Sequence, residues 1–267
     1  MTITFYGGGR SKEKILNMRE GLILHLKNKE GLDALIRRFR AFQKLKNTTI
    51  WEYENQNGRF IRHKHFRWIY DEKQIVLLQI MFIGKTGYGK SSLINSIIGN
   101  DLFEVDDIES CTKKLDTVFY QLGKSKTYYL ALSDLPGVGE GKTVDRQYRN
   151  WYKQMVSHSG CVVYVLRADQ RDYSIDELIF EEVFQTEAQR KKVVIALNFA
   201  DKIEPLNRGV HISEAQMRSL DIKSKAVRRK FKVNTVIPCC AKTGEGIPEL
   251  VKEIVSTLDA YAYNVDV

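Results

Sequence analysis

The chain has little cysteine: four residues in 267, Cys111, Cys161, Cys239 and Cys240. None stands in a CxxC spacing and two are adjacent, so neither a zinc framework nor a disulfide scaffold is expected, and the thiols read as reduced, in a cytosol. Histidine is also scarce, and His63, His65, His158 and His211 follow no metal-ligand spacing. The longest apolar run, IVLLQIMFI from Ile75, is far short of the roughly 20 residues a membrane-spanning helix needs. The N-terminus, MTITFYGGGRSKEK, lacks the basic-then-apolar layout of a signal peptide. No internal repeat or low-complexity tract interrupts the chain. With 43% hydrophobic and 28% charged residues, the composition can bury a core and is not that of a disordered chain. The expectation is a cytoplasmic protein.

Net charge is nearly absent from most of the chain. The formal total is +9, yet residues 1–74 carry 16 Lys+Arg against 8 Asp+Glu and residues 75–267 carry 26 against 25. An acidic partner is therefore to be sought at the N-terminal segment. Patterning also changes near residue 74. Apolar residues recur at helical spacing from Ile15 to Leu26, and again at Leu32, Leu35, Ile36, Phe39, Phe42 and Leu45. Asn57-Gly58 then separates two aromatic and β-branched runs, a β-hairpin signal. Residues 1–74 thus read as a small basic α+β module of two helices and a hairpin.

From residue 75 short apolar runs alternate with helical segments: IVLLQIMFI, LDTVFYQL, TYYLALSD, CVVYVLRAD, KKVVIALNFAD and NTVIPCCAK. The second and third read as a hairpin across Gly123. Continuous apolar runs suit strands covered on both faces, giving an α/β fold with a mostly parallel six-stranded sheet and helices on both faces over residues 75–267. In such sheets ligands bind beyond the carboxyl ends of the strands. The first run leads into Gly84-Lys85-Thr86-Gly87-Tyr88-Gly89-Lys90-Ser91-Ser92, which fits GxxxxGK[ST]. Such a loop turns backbone N–H groups inward around phosphates, and the helix that follows adds its positive dipole. Lys90 is placed for the β- and γ-phosphates and the Ser91 hydroxyl for Mg²⁺.

Three further motifs follow in order. Asp134-Leu135-Pro136-Gly137 reads as DxxG. Asn198-Phe199-Ala200-Asp201 reads as NKxD with Phe for Lys, and Cys240-Ala241-Lys242 as SAK with Cys for Ser. With these four motifs the chain resembles the translation-factor-related GTPases of the Era-like group, in particular the bacterial YfjP/YeeP-type GTPases, over about residues 75–260. CTKKL, SDLPGVGE and ADKIEP are in that group's style.

The resemblance implies a P-loop NTPase G domain binding GTP or GDP with Mg²⁺. Guanine presents N1–H and N2–H₂ side by side, so one carboxylate, Asp201, accepts from both; adenine offers no such pair. The Ala241 N–H would meet guanine O6 and Lys242 would lie over the base. Phe199 can stack on the base but brings no ammonium to the loop, so somewhat weaker affinity is expected. Asp134 would hold Mg²⁺ through a water, and the Gly137 N–H would meet the γ-phosphate. Thr112 is the expected switch threonine on Mg²⁺, with Thr117 as its rival inside a strand. Lys90, Thr112 and Gly137 are thus the expected catalytic set, and Ser91, Thr112 and Asp134 the metal set. Val138, directly after DxxG, cannot orient a water, and Gly87 lacks the Asn with which several relatives bind K⁺. Slow intrinsic hydrolysis of GTP to GDP, raised by a homodimer through the G domain or by a partner, is the expectation. Arg146, Arg149 and Arg167 are further candidates for neutralising phosphate charge.

A nucleotide-stabilised dimerisation module with incidental hydrolysis is the alternative reading. A third is an RNA- or ribosome-associated GTPase acting through the basic segment, where RFIRHKHFRW at 59–68 interleaves basic and aromatic residues. A protein or membrane-surface partner for that segment stays open. Only 25 residues follow Lys242, room for a final helix, so the RNA-binding domain that follows the G domain in Era itself is not expected.

Overall fold

The computed structural model describes residues 53–56, 59–62, 76–99, 103, 116–122, 128–138, 142–156, 159–206 and 211–263. Strands β1 (Tyr53–Gln56) and β2 (Arg59–Arg62) pair antiparallel, with Gln56 opposite Arg59. They flank Asn57-Gly58, as the hairpin signal requires. The two helices expected before them, and the rest of the 59–68 stretch, lie outside the described residues.

The main body is a six-stranded sheet of β3 (Val76–Gly84), β4 (Asp116–Leu122), β5 (Tyr128–Asp134), β6 (Cys161–Arg167), β7 (Val193–Asn198) and β8 (Thr235–Pro238), in the order β4-β5-β3-β6-β7-β8. Only β4 runs antiparallel, against β5 as expected from the Gly123 hairpin, and Thr117 sits within it opposite Ser133. The central strands are covered on both sides. Every residue of β6 from Cys161 to Leu166 is buried, as is all of β7. Their unbroken Val, Ile and Leu runs therefore reflect double-sided burial.

Helices α1 (Lys90–Ile98), α2 (Lys142–Val156), α3 (Ser174–Val183), α4 (Glu187–Lys191), α5 (Glu214–Phe231) and α6 (Ile247–Tyr263) flank this sheet. Helix α1 packs with α6, while α3 packs with both α2 and α5. Helices α4 and α5 begin with full capping boxes, Thr186 with Gln189 and Ser213 with Gln216. Helix α1 begins differently: Gly89 caps it in the left-handed conformation, with no side chain accepting from the first N–H groups.

An aromatic cluster joins α3, α5 and β6. Phe180 lies 4.6 Å from Phe184, 5.2 Å from Phe231 and 5.4 Å from Tyr164, ring centre to ring centre. The last two contacts are edge-on, the arrangement the ring quadrupoles favour.

The registers align the carboxyl ends of the parallel strands. Phe82 lies opposite Asp134, Gly84 opposite Val165, Arg167 opposite Asn198 and Leu197 opposite Pro238. One end of the sheet therefore carries all four motifs. Because Phe231 closes the cluster that seats α5 against β6, Phe231→Ala is expected to cost about 3–5 kcal/mol. This would be read as a lowered urea midpoint at unchanged m-value.

Candidate functional site

The glycine-rich loop leaves β3 and runs from Lys85 to Gly89 into α1. Gly89 sits at φ 76°, and a Cβ there would stand 2.6 Å from Asn198 Nδ2 and 3.4 Å from the Phe199 ring. Both the conformation and the close approach require glycine. Lys90 is buried, and its ammonium donates to the Lys85 carbonyl at 3.1 Å. Ser91 and Ser92 are half-buried on the first turn of α1. The Ser91 hydroxyl donates to Asp134 Oδ2 at 2.5 Å, so the first and second motifs meet directly. At the far end of α1, Asn95 holds Phe103 by both backbone groups, each at 2.9 Å.

The segment after β5 is laced to the loop. Thr86 N donates to the Val138 carbonyl at 2.9 Å and Val138 N to the Gly84 carbonyl at 3.4 Å. Gly137 presses so closely on Thr86 that any Cβ would collide with the Thr86 backbone. From α2, the Tyr152 hydroxyl donates to the Pro136 carbonyl. Val138 itself is fully buried in the core, so its side chain plays no part at the phosphate end. Thr112 lies outside the described residues.

The third and fourth motifs interlock through one amide. Asn198 donates from Nδ2 to the Tyr88 carbonyl at 3.0 Å, and its Oδ1 accepts from Ala241 N at 3.1 Å. The Ala241 N–H expected at guanine O6 is thus engaged within the protein here. Cys240, standing for the serine of SAK, donates from Sγ to Asp201 Oδ1 at 3.2 Å. Gln216 Nε2 steadies the same turn by donating to the carbonyls of Asp201 and Ile203, at 2.9 and 3.0 Å. Lys242 is exposed. Phe199, at φ 58°, holds its ring beside the loop with Arg167 Cζ 4.2 Å and Lys202 Nζ 4.8 Å from its centre. It does not point into the core.

Tyr88 and Asp176 form a support that sequence reasoning missed. Tyr88 turns inward from the loop and donates its hydroxyl toward Asp176 Oδ2 at 3.0 Å and Gln170 Oε1 at 3.1 Å. Asp176, on the first turn of α3, is fully buried, and its Oδ1 has no hydrogen-bond partner among the described residues. The Lys85 ammonium stands 4.0 Å away. Burial pushes the Asp176 carboxyl up to about 6, while Lys85 and the Tyr88 bond pull it back. Burial first, and Asp176 second, raise the Tyr88 phenol. In the sequence Asp176 is one of two acids opening a helix, and no spacing sets it apart.

Two of the arginine candidates are placed as follows. Arg149 Nε pairs with Glu182 at 2.9 Å, beside Lys153 at 2.8 Å, and Arg146 is exposed. The exposed His211 has its Nδ1 3.5 Å from Glu245 Oε1. His63, His65, His158 and Cys111 lie outside the described residues, among which no cluster of metal-ligand side chains occurs and Cys161, Cys239 and Cys240 are free thiols. No helix among the described residues is long and apolar enough to cross a membrane.

A strand-loop-helix glycine loop, a DxxG segment bonded to it and an Asn-Asp turn at the same sheet end match the architecture of a P-loop G domain. Residues 79–199 match the family described as 50S ribosome-binding GTPase. The chain is 34% identical to YkfA and 31% identical to YfjP, both of Escherichia coli (strain K12), over 162 residues, or 61% of this chain. Over the matched region the chain is thus similar to the bacterial Era-like GTPases. It spans about half the length, 54%, of those two relatives. The crystal structure of a point variant of Aquifex aeolicus Era bound to GDP and AlF4⁻ shares the fold, with a TM-score of 0.53 at 20% identity over 67% of this chain and 56% of that one.

The buried Asp176 makes stability depend on pH. An acid whose folded pKa exceeds its unfolded value binds its proton more tightly when folded. The penalty is full above about pH 6 and is relieved as pH falls toward 4. Relative to Asp176→Asn, the native protein is expected to gain on the order of 2–3 kcal/mol between pH 7 and pH 4. Urea midpoints of the two proteins across that range check this.

Proposed function

We propose that the chain binds GTP and hydrolyses it to GDP with Mg²⁺, as a molecular switch of slow intrinsic turnover. The observation that carries this reading is the Asn198 amide. It ties the phosphate loop, the Asp201 turn and the Ala241 segment into one cradle at the ends of β3, β7 and β8. Within that cradle the N-terminus of α1, free of a capping side chain, faces phosphate, and Lys90 neutralises the β- and γ-phosphates. The Gly137 N–H meets the γ-phosphate, its approach set by its contact with Thr86. The Asp201 carboxylate reads the two guanine donors, one of its oxygens held by Cys240.

The donor set fits Mg²⁺. Two hard oxygens, the Ser91 hydroxyl and the Asp134 carboxylate, already converge, and Thr112 is the proposed switch ligand. When bound, the ion neutralises charge developing on the β- and γ-phosphate oxygens. The burial of Val138 supports slow turnover, because no side chain at that position orients the attacking water. Residues 75–267 act as the G domain and residues 1–74 as a separate basic module through which output passes. Activation comes from a homodimer through the G domain or from a partner, in the cytoplasm.

Lys90→Ala is expected to lower single-turnover GTP hydrolysis by at least about 100-fold. An unchanged rate would remove the site as described.

The charge of residues 1–74 favours a second reading, a ribosome- or RNA-associated GTPase, which the wording of the matched family also supports. If phosphate contacts carry it, the affinity of the full chain for ribosomal RNA should fall linearly with salt on logarithmic axes. Absence of binding at low salt ends this reading.

A further inference from the structure

Phe199 occupies the place of the NKxD lysine and brings a ring where that motif has a cation. The sheet register supplies a cation from elsewhere. Arg167 ends β6 directly opposite Asn198 on β7, so its side chain emerges one residue from Phe199 across the strand pair. Its guanidinium lies 4.2 Å from the centre of the Phe199 ring. The guanidinium is held in place: Nε and Nη2 donate to the two oxygens of Asp169 at 3.0 and 2.7 Å. This bond raises the Arg167 pKa and lowers that of Asp169. The Arg167 carbonyl accepts from the Tyr173 hydroxyl at 2.5 Å. An edge of the ring reaches the phosphate loop, 3.4 Å from where a Gly89 side chain would begin. Its left-handed backbone is a strained state for a bulky residue. Such strain persists where the surroundings impose it.

We propose that Arg167 and Phe199 form a stacked pair that replaces the NKxD lysine, with Phe199 as the face on which the base rests and Arg167 as the residue that positions it. The inference rests on the guanine-nucleotide reading above. A guanidinium over a ring fixes the ring plane and polarises it, and its planar fork suits stacking better than an ammonium. Arg167 thereby places a guanidinium, ion-paired with Asp169, against the ring without occupying the lysine's position. Lys202, 4.8 Å from the ring centre and exposed, is a second cation but lacks the carboxylate clamp that orders Arg167.

The test measures mant-GDP affinity by fluorescence, with inorganic pyrophosphate as competitor. The proteins are the full-length chain, Arg167→Ala, Arg167→Lys, Phe199→Lys and the Arg167→Ala/Phe199→Lys double variant. Arg167→Ala is expected to weaken mant-GDP binding by about threefold to thirtyfold, while pyrophosphate affinity changes less. Arg167→Lys should recover part of the loss. In the Phe199→Lys background, where the motif again carries its lysine, removing Arg167 should cost little. An equal loss in both backgrounds, an equal loss for pyrophosphate, or no loss at all overturns the pair. A native chain that binds no mant-GDP overturns the guanine-nucleotide reading instead.

Discussion

The site depends on one buried side-chain amide. Asn198 sits at the end of β7 and bonds Tyr88 in one direction and Ala241 in the other, groups 110 and 43 residues away in sequence. Both partners are backbone groups with few alternatives in that position, and a buried donor or acceptor left alone costs about 1–3 kcal/mol. Sequence-distant loops are thereby held in register by a single planar group. A hydroxyl or a carboxylate would not do this, because neither offers a fixed donor and a fixed acceptor on one rigid plane.

Around that amide the cradle is braced from below. The phosphate loop is anchored through Tyr88 to the α3 carboxylate, and the DxxG segment is anchored through Tyr152 and the Thr86–Val138 and Val138–Gly84 backbone bonds. The Asp176 anchor is costly to the fold, since a fully buried carboxylate with only one bonded oxygen is poorly solvated. Its presence opposes maximal stability and fits a requirement for loop geometry. A loop that must present several N–H groups at once benefits from being rigid before the ligand arrives.

Much of this was legible in the sequence, for a physical reason. The strands announce themselves because double-sided burial demands unbroken apolar runs, as in CVVYVL and VVIAL. The motifs do so because phosphate, metal and guanine each constrain side chains within a few residues. The β4–β5 and β1–β2 pairings follow from equally local signals. Contacts set by register were not legible. Asp176 reaches Tyr88 across 88 residues, and Arg167 meets Phe199 because β6 and β7 lie side by side. Val138 could be read as unable to bind water, but its complete burial depends on the packing of the whole core. The Ala241 N–H had one expected use and the fold gives it another, because Asn198 stands between it and the loop.

The phenylalanine in the third motif shows how such a departure is absorbed. A lone Lys-to-Phe change in the third motif removes a positive charge from beside the glycine loop. The left-handed turn after β7 directs residue 199 toward Gly89 whatever its identity, so a ring placed there covers the loop. The neighbouring strand end then determines what stands over the ring, and here it is an arginine already fixed by Asp169. Affinity and turnover separate at this point. The Arg167–Phe199 contact and the Asn198 amide both lie at the loop, where the proposed nucleotide would be held. Among the described residues, no side chain from the Val138 position reaches the water that would attack. On the guanine-nucleotide reading proposed above, the groups that would hold nucleotide are thus separate from any group that would act on water.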